Sequence, residues 1–120
     1  MTSKFSYQQK IAILRILFDI VQADGQIDAR EIYYFNQIKE ELGLDAEARK
    51  DINDKNSLLA LLQIKAFSAE QKEYLAKLMA NMIVVDEDIN PNEVAIYDVV
   101  REYCGLEQMF DRTIEPKQQD

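Results

Sequence analysis

A chain of 120 residues builds one domain around a single core, with no need of a metal or a disulfide to hold it. Fourteen basic residues against 22 acidic ones give a net charge of −8, which repels phosphate backbones and anionic headgroups and argues against a nucleic-acid partner. There is no histidine, so the commonest general base and transition-metal ligand are missing, and with them most hydrolase mechanisms and nearly all zinc sites.

The elements read helical in chain order. Ser6 with Gln9 makes a capping box that opens a first helix to about Ala23, apolar nearly all round through Ile11, Ile13, Leu14, Ile16, Leu17, Ile20 and Val21. A second runs from Asp28 to Leu42, with Ile32, Phe35, Ile38 and Leu42 on one face, and stops at Gly43. Asp45 is expected to cap a short acidic helix to about Asn53, and Asn56 or Ser57 to open another through Ile64. Ser68 with Gln71 repeats the capping box and starts a long fifth helix to about Val85. Asn90 opens a sixth, which ends at Gly105. No segment alternates with period two, so the class is all-α, a bundle of about six to seven helices. We expect one domain over residues 1–114 and a flexible polar tail over 115–120. The longest apolar stretch, Ile11 to Val21, is interrupted by Arg15 and Asp19 and lacks a basic leader or a cleavage site. No membrane span is expected, therefore, and the chain should be cytoplasmic.

One segment occurs twice. Residues 17–44 align with residues 79–106, and six of the 28 positions are identical: Asp24 with Asp86, Ile27 with Ile89, Glu31 with Glu93, Glu40 with Glu102, Gly43 with Gly105, Leu44 with Leu106. Such a repeat predicts a duplicated helix-turn-helix with a pseudo-twofold axis, the two apolar helices lying together at the centre. The same alignment pairs Arg15 with Lys77 and Asp19 with Asn81, so each central helix keeps a polar stripe, expected to be a solvent-facing i, i+4 pair in the first copy.

The repeated Asp-x-x-Ile-x-x-x-Glu looks like the second half of an EF-hand loop, but the first half is absent. The places of two carboxylate ligands fall on Ile20 and Gln22, and on Met82 and Val84, so calcium in that geometry is not expected. Helix-start chemistry explains more. Asp28 and Asn90 are N-caps, Glu31 and Glu93 their capping-box partners, and Ile27 and Ile89 sit at staple spacing from Ile32 and Val94. Asp24 and Asp86 are left over. They bond turn amides, or each loop gathers an oxygen-lined patch, Asp24, Asp28 and Glu31 in the first and Asp86, Asp88 and Glu93 in the second, for a hard divalent ion such as Mg²⁺, Ca²⁺ or Mn²⁺, or for a basic partner.

These residues resemble the TerB-like family of tellurite-resistance proteins, which is similar in turn to the N-terminal domain of DnaJ-like membrane co-chaperones. The resemblance rests on Ala23-Asp24-Gly25-Gln26-Ile27 with Glu31, on Asp86 with Ile89 and Glu93, and on Leu42-Gly43-Leu44. It implies an all-helical pseudo-symmetric bundle in bacteria, linked to tellurite resistance and stress responses, with divalent metal carried on Asp24, Glu31, Asp86 and Glu93. In the second copy Val85 and Glu87 replace the alanine and glycine of the pattern.

The functional expectation is a non-enzymatic binding module that docks a protein partner through an acidic surface, with room for a weakly held divalent cation. Its oligomeric state is left open. Two alternatives are a carrier modified at Ser57, on the faint likeness of Asn56-Ser57-Leu58 to the Asp-Ser-Leu of acyl carrier proteins, and a small enzyme using Asp24 and Glu31 as paired carboxylates. Cys104, the single cysteine, stands at a helix C-terminus where the dipole disfavours a thiolate, and reads as a packed thiol. Of the consecutive Tyr33, Tyr34 and Phe35, at least one should face outward.

Overall fold

The computed structural model describes residues 5–23, 25–85 and 89–106. Among these there are six α-helices and no strand: α1 (Tyr7–Val21), α2 (Ala29–Glu41), α3 (Ala48–Asp54), α4 (Ser57–Lys65), α5 (Ala69–Val84) and α6 (Pro91–Cys104). The all-α class is as expected.

Local chemistry sets most of the boundaries. Ser6 and Ser68 each accept from the N–H three residues on, Gln9 and Gln71, whose side chains return the bond to the cap N–H at 2.8 and 2.9 Å. Asn56 accepts from the Leu58 and Leu59 amides at the start of α4, and Asn90 from Asn92 and Glu93 at the start of α6, where Pro91 needs no donor. Gly43 and Gly105 take left-handed φ values of 77° and 75°, which lets the Leu44 N–H reach the Lys39 carbonyl at 3.0 Å and the Leu106 N–H reach that of Arg101 at 2.9 Å. One N-cap differs from expectation. Asp45 bonds the Glu47 amide at 3.0 Å and so closes the turn before α3, which starts on Glu47 without a side-chain cap.

Packing follows from the apolar patterns. Helix α1 touches all five others and buries residues on nearly every side, among them Ile11, Ile13, Leu14, Ile16, Leu17 and Ile20. Helix α5 packs against α1, α2 and α6 and buries Leu75, Leu78, Met79, Met82 and Ile83. Each such side chain contributes about 1.5–3 kcal/mol of burial, so these two helices hold the core. The helix starts keep the sequence offset: α1 and α5 begin at Tyr7 and Ala69, α2 and α6 at Ala29 and Pro91. Gln71 Nε2 lies 3.5 Å from Gln9 Oε1, 62 positions away in sequence, so the two capping boxes meet.

The polar stripe of α1 is a tether rather than a solvent-facing pair. Arg15 forks onto Asp19 Oδ1 through Nη2 at 2.6 Å and Nε at 3.1 Å, and donates Nη1 to the Ile52 and Asn53 carbonyls at 3.1 and 3.2 Å. Ser57 donates its hydroxyl to Asp19 Oδ2 at 2.6 Å. The Arg15 and Asp19 side chains are only 13% and 21% exposed. The cause is tertiary: α3 and α4 lie over α1, with no comparable contact to α5. On α5 the equivalent Lys77 and Asn81 stay exposed, and Lys77 makes only a 3.8 Å pair with Glu73. Tyr7 adds a second link, its hydroxyl donating to Asp51 of α3, a bond that above all else pushes the phenol up to about 12.

Candidate functional site

Of the four candidate metal ligands, Asp24 and Asp86 lie outside the described residues, together with Glu87 and Asp88 of the second turn. The other two are placed. Glu31 and Glu93 open α2 and α6 at the same helical position and are almost fully buried, at 1% and 3% exposure. A capping glutamate at the first turn would stand in water, so burial of this carboxyl twice is more than a cap requires. Each makes a polar contact within the chain. Asp28, by contrast, is committed to capping: its Oδ1 accepts from the Arg30 amide at 2.7 Å and stands 3.5 Å from the Arg30 guanidinium. That amide bond comes first among the causes that hold its carboxyl below the usual range.

The isoleucines of the motif differ from expectation. Ile27 is 59% and Ile89 40% exposed, so neither is buried in a staple against Ile32 or Val94, although Val94 itself is buried. A hard divalent ion takes six or more oxygens, several of them from water in a weak site. Among the described residues no three acidic, cysteine or histidine side chains converge for such an ion, so Glu31 and Glu93 would need Asp24 and Asp86 beside them.

Ser57, the carrier candidate, is half-buried, and its hydroxyl is already spent on Asp19 while Asn56 caps the helix. Cys104 is buried and donates weakly to the Leu61 carbonyl at 3.5 Å, and burial pushes its thiol above the ordinary value. Tyr33 faces outward, as expected of one member of that aromatic run, while Phe35 is buried against Phe18.

The least expected feature is a groove of about 450 Å³ between α1, α4 and α6. Ile16, Leu61, Ile96 and Val99 line it with apolar surface, and Asp19 with Gln22 supplies its polar side. Leu58 and Leu62 stand one position on from the groove-lining Ser57 and Leu61, and are 70% and 53% exposed. Tyr103 continues the Val99 stripe one turn further and is held by Lys65, whose ammonium lies 4.7 Å from the ring centre and 3.0 Å from the Tyr103 carbonyl. Sequence reasoning missed this surface. The signal was the run Leu58, Leu59, Ala60, Leu61, Leu62, Ile64, which has more apolar positions than one buried stripe of a short helix can use.

A second groove, of about 550 Å³ between α2 and α5, is lined by Tyr34, Gln37, Ile38, Leu78 and Asn81, the residues aligned with Ile96, Val99, Val100, Ile16 and Asp19 of the first. Glu40, Glu41 and Lys77 make it polar where the first is apolar.

No helix among the described residues is long and apolar enough to cross a membrane. Residues 1–54 match the family model of tellurite resistance protein TerB, a stretch that closes at the last residue of α3. The crystal structure of a protein of unknown function from Porphyromonas gingivalis is similar over 88% of this chain and 90% of that one, with 27% identity and a TM-score of 0.75. No curated protein matches the chain.

Proposed function

We infer a TerB-like module from the match of residues 1–54 to the TerB family model and from the all-helical fold. We propose that the chain is a non-enzymatic docking module, acting in tellurite resistance or a related stress response, whose α1/α4/α6 groove receives an amphipathic helix with a basic flank. The observation that carries the reading is the open apolar groove, with Val99 of its lining 56% exposed. An apolar groove left open to water is a surface of the kind that marks a contact site. Apolar anchors at i, i+3, i+4 and i+7 are the pattern that fits a groove between helices. Charge selects the flank: the whole chain carries −8 and so favours a basic partner.

The test is a titration of the full chain with a designed leucine/lysine amphipathic peptide and its leucine/glutamate counterpart, followed by backbone amide shifts. The basic peptide should move Leu61, Ile96 and Val99, and Val99→Asp should remove the response. Equal response to both peptides, shifts centred elsewhere, or self-association of the free chain that Val99→Asp abolishes would overturn the reading.

The buried glutamates support a second role. Asp24 with Glu31, and Asp86 with Glu93, weakly hold a divalent cation, the buried glutamate in each turn providing a fixed carboxylate. Titrating Mg²⁺, Ca²⁺ and Mn²⁺ while following Gly25 and Ile89 amides tests it, with Glu31→Gln as the control. No movement at millimolar ion would end this role while leaving the docking proposal untouched.

A further inference from the structure

The geometry points to a second, separate site: a cavity between α1, α2 and α3 that binds a small organic carboxylate with an aromatic or branched apolar body. Its volume is about 260 Å³, near the lower end for small-molecule sites. The floor is apolar. Phe18 and Phe35 meet there with ring centres 5.7 Å apart, flanked by Ile32 and Ile52. The rim holds Lys39 on α2, Arg49 on α3, and the side-chain amides of Asn36 and Asn53. In a chain with 22 acidic and 14 basic residues, the described residues of this lining include two cations and no carboxylate.

Three features make the charge count meaningful. Among the described residues, the Lys39 and Arg49 side chains form no ion pair. The carbonyls of Ile52 and Asn53, which would otherwise turn the negative end of α3 toward the cavity, accept from Arg15 at 3.1 and 3.2 Å. Arg15 itself lies 5.5 Å from the centre of the Phe18 ring, with its charge met by Asp19, so it backs the floor and does not compete for a ligand. The cavity therefore offers an apolar slot capped by a positive fork and amide donors. A planar carboxylate suits a guanidinium fork better than a bare point charge does. The apolar floor asks for a body that inorganic phosphate or acetate does not have.

Phenylacetate is the probe, with 2-phenylethanol as the uncharged control, acetate as the charge-only control, and N-acetylphenylalanine to distinguish a free metabolite from a chain terminus. Titrations of the full chain are followed by amide shifts of Phe35, Asn36, Lys39 and Asn53, including the asparagine side chains. Phenylacetate or N-acetylphenylalanine should saturate in the low millimolar range or below, whichever binds tighter naming the source, while both controls bind at least about tenfold more weakly. Arg49→Gln and Lys39→Gln, at positions outside the core, should each weaken binding about tenfold with an unchanged helical circular dichroism spectrum. The site is refuted by no shift at 20 mM phenylacetate, by 2-phenylethanol binding equally well, or by Arg49→Gln leaving the midpoint unchanged.

Discussion

Arg15→Met against Lys77→Met is the sharpest test of the asymmetry between the two central helices, because sequence alignment makes the positions equivalent and the structure makes them opposite. Methionine keeps most of the stem volume and removes the charge. At position 15 the change deletes the fork on Asp19 at 2.6 and 3.1 Å and both carbonyl bonds to α3, and leaves Asp19 with Ser57 alone. Breaking a fully buried pair costs about 3–5 kcal/mol and an exposed one about 0–1. With side chains 13% and 21% exposed, the pair lies nearer the buried limit, and the loss should be about 2–4 kcal/mol. Lys77, 61% exposed and 3.8 Å from Glu73, should tolerate methionine within about 0.5 kcal/mol. Urea unfolding at pH 7, followed by circular dichroism, measures both, and a double-mutant cycle with Asp19→Asn should give a coupling above about 1 kcal/mol. A loss at Arg15 under about 1 kcal/mol, or one equal to that at Lys77, would refute the tether.

Three further outcomes are expected. Cys104 should react with a disulfide reagent at pH 8 only as the protein unfolds, since burial both shields the thiol and raises its pKa; prompt stoichiometric labelling of the native chain would contradict this. The Asp28 carboxyl titrates below its ordinary 3.8, so its contribution to the start of α2 is present above that pH and fades as the pH falls through the lower folded value. Asp28→Asn should therefore flatten the acid limb of the stability curve at that end, read from the Arg30 amide shift; an unaltered limb would sink the assignment. Gly43→Ala meets no atom within 4 Å of the added methyl, so its whole cost is the positive φ, about 1–2 kcal/mol by urea unfolding, and a neutral result would argue against the left-handed cap.

What could be read from the sequence was what short-range chemistry decides. Ser6 with Gln9, Ser68 with Gln71, Asn90 with Pro91, and the glycines at 43 and 105 act within one turn of themselves, and they stand where the reading put them. The packed state of Cys104 and the outward Tyr33 followed from helix ends and apolar crowding. The misreadings all involve a third element. Asp45 lost the cap of α3 to a preceding turn, Ile27 and Ile89 are exposed, and Arg15 was covered because α3 and α4 pack on α1 rather than on α5. Burial of Glu31 and Glu93 is likewise a tertiary fact that spacing cannot reveal, since the capping motif looks the same in either environment. The groove and the cationic cavity each draw on three helices, and no local pattern joins them.

The radial position of α1 bears on whether the molecule can be divided. The TerB match stops at residue 54, which invites treating the first three helices as a severable unit. Yet α4, α5 and α6 all lie beyond that point and all press on α1, so a polypeptide cut there would strip its own axle bare on the sides they cover. The family match covers the front half alone, whereas the packing joins both halves. The front half stands only when the back half has closed around it.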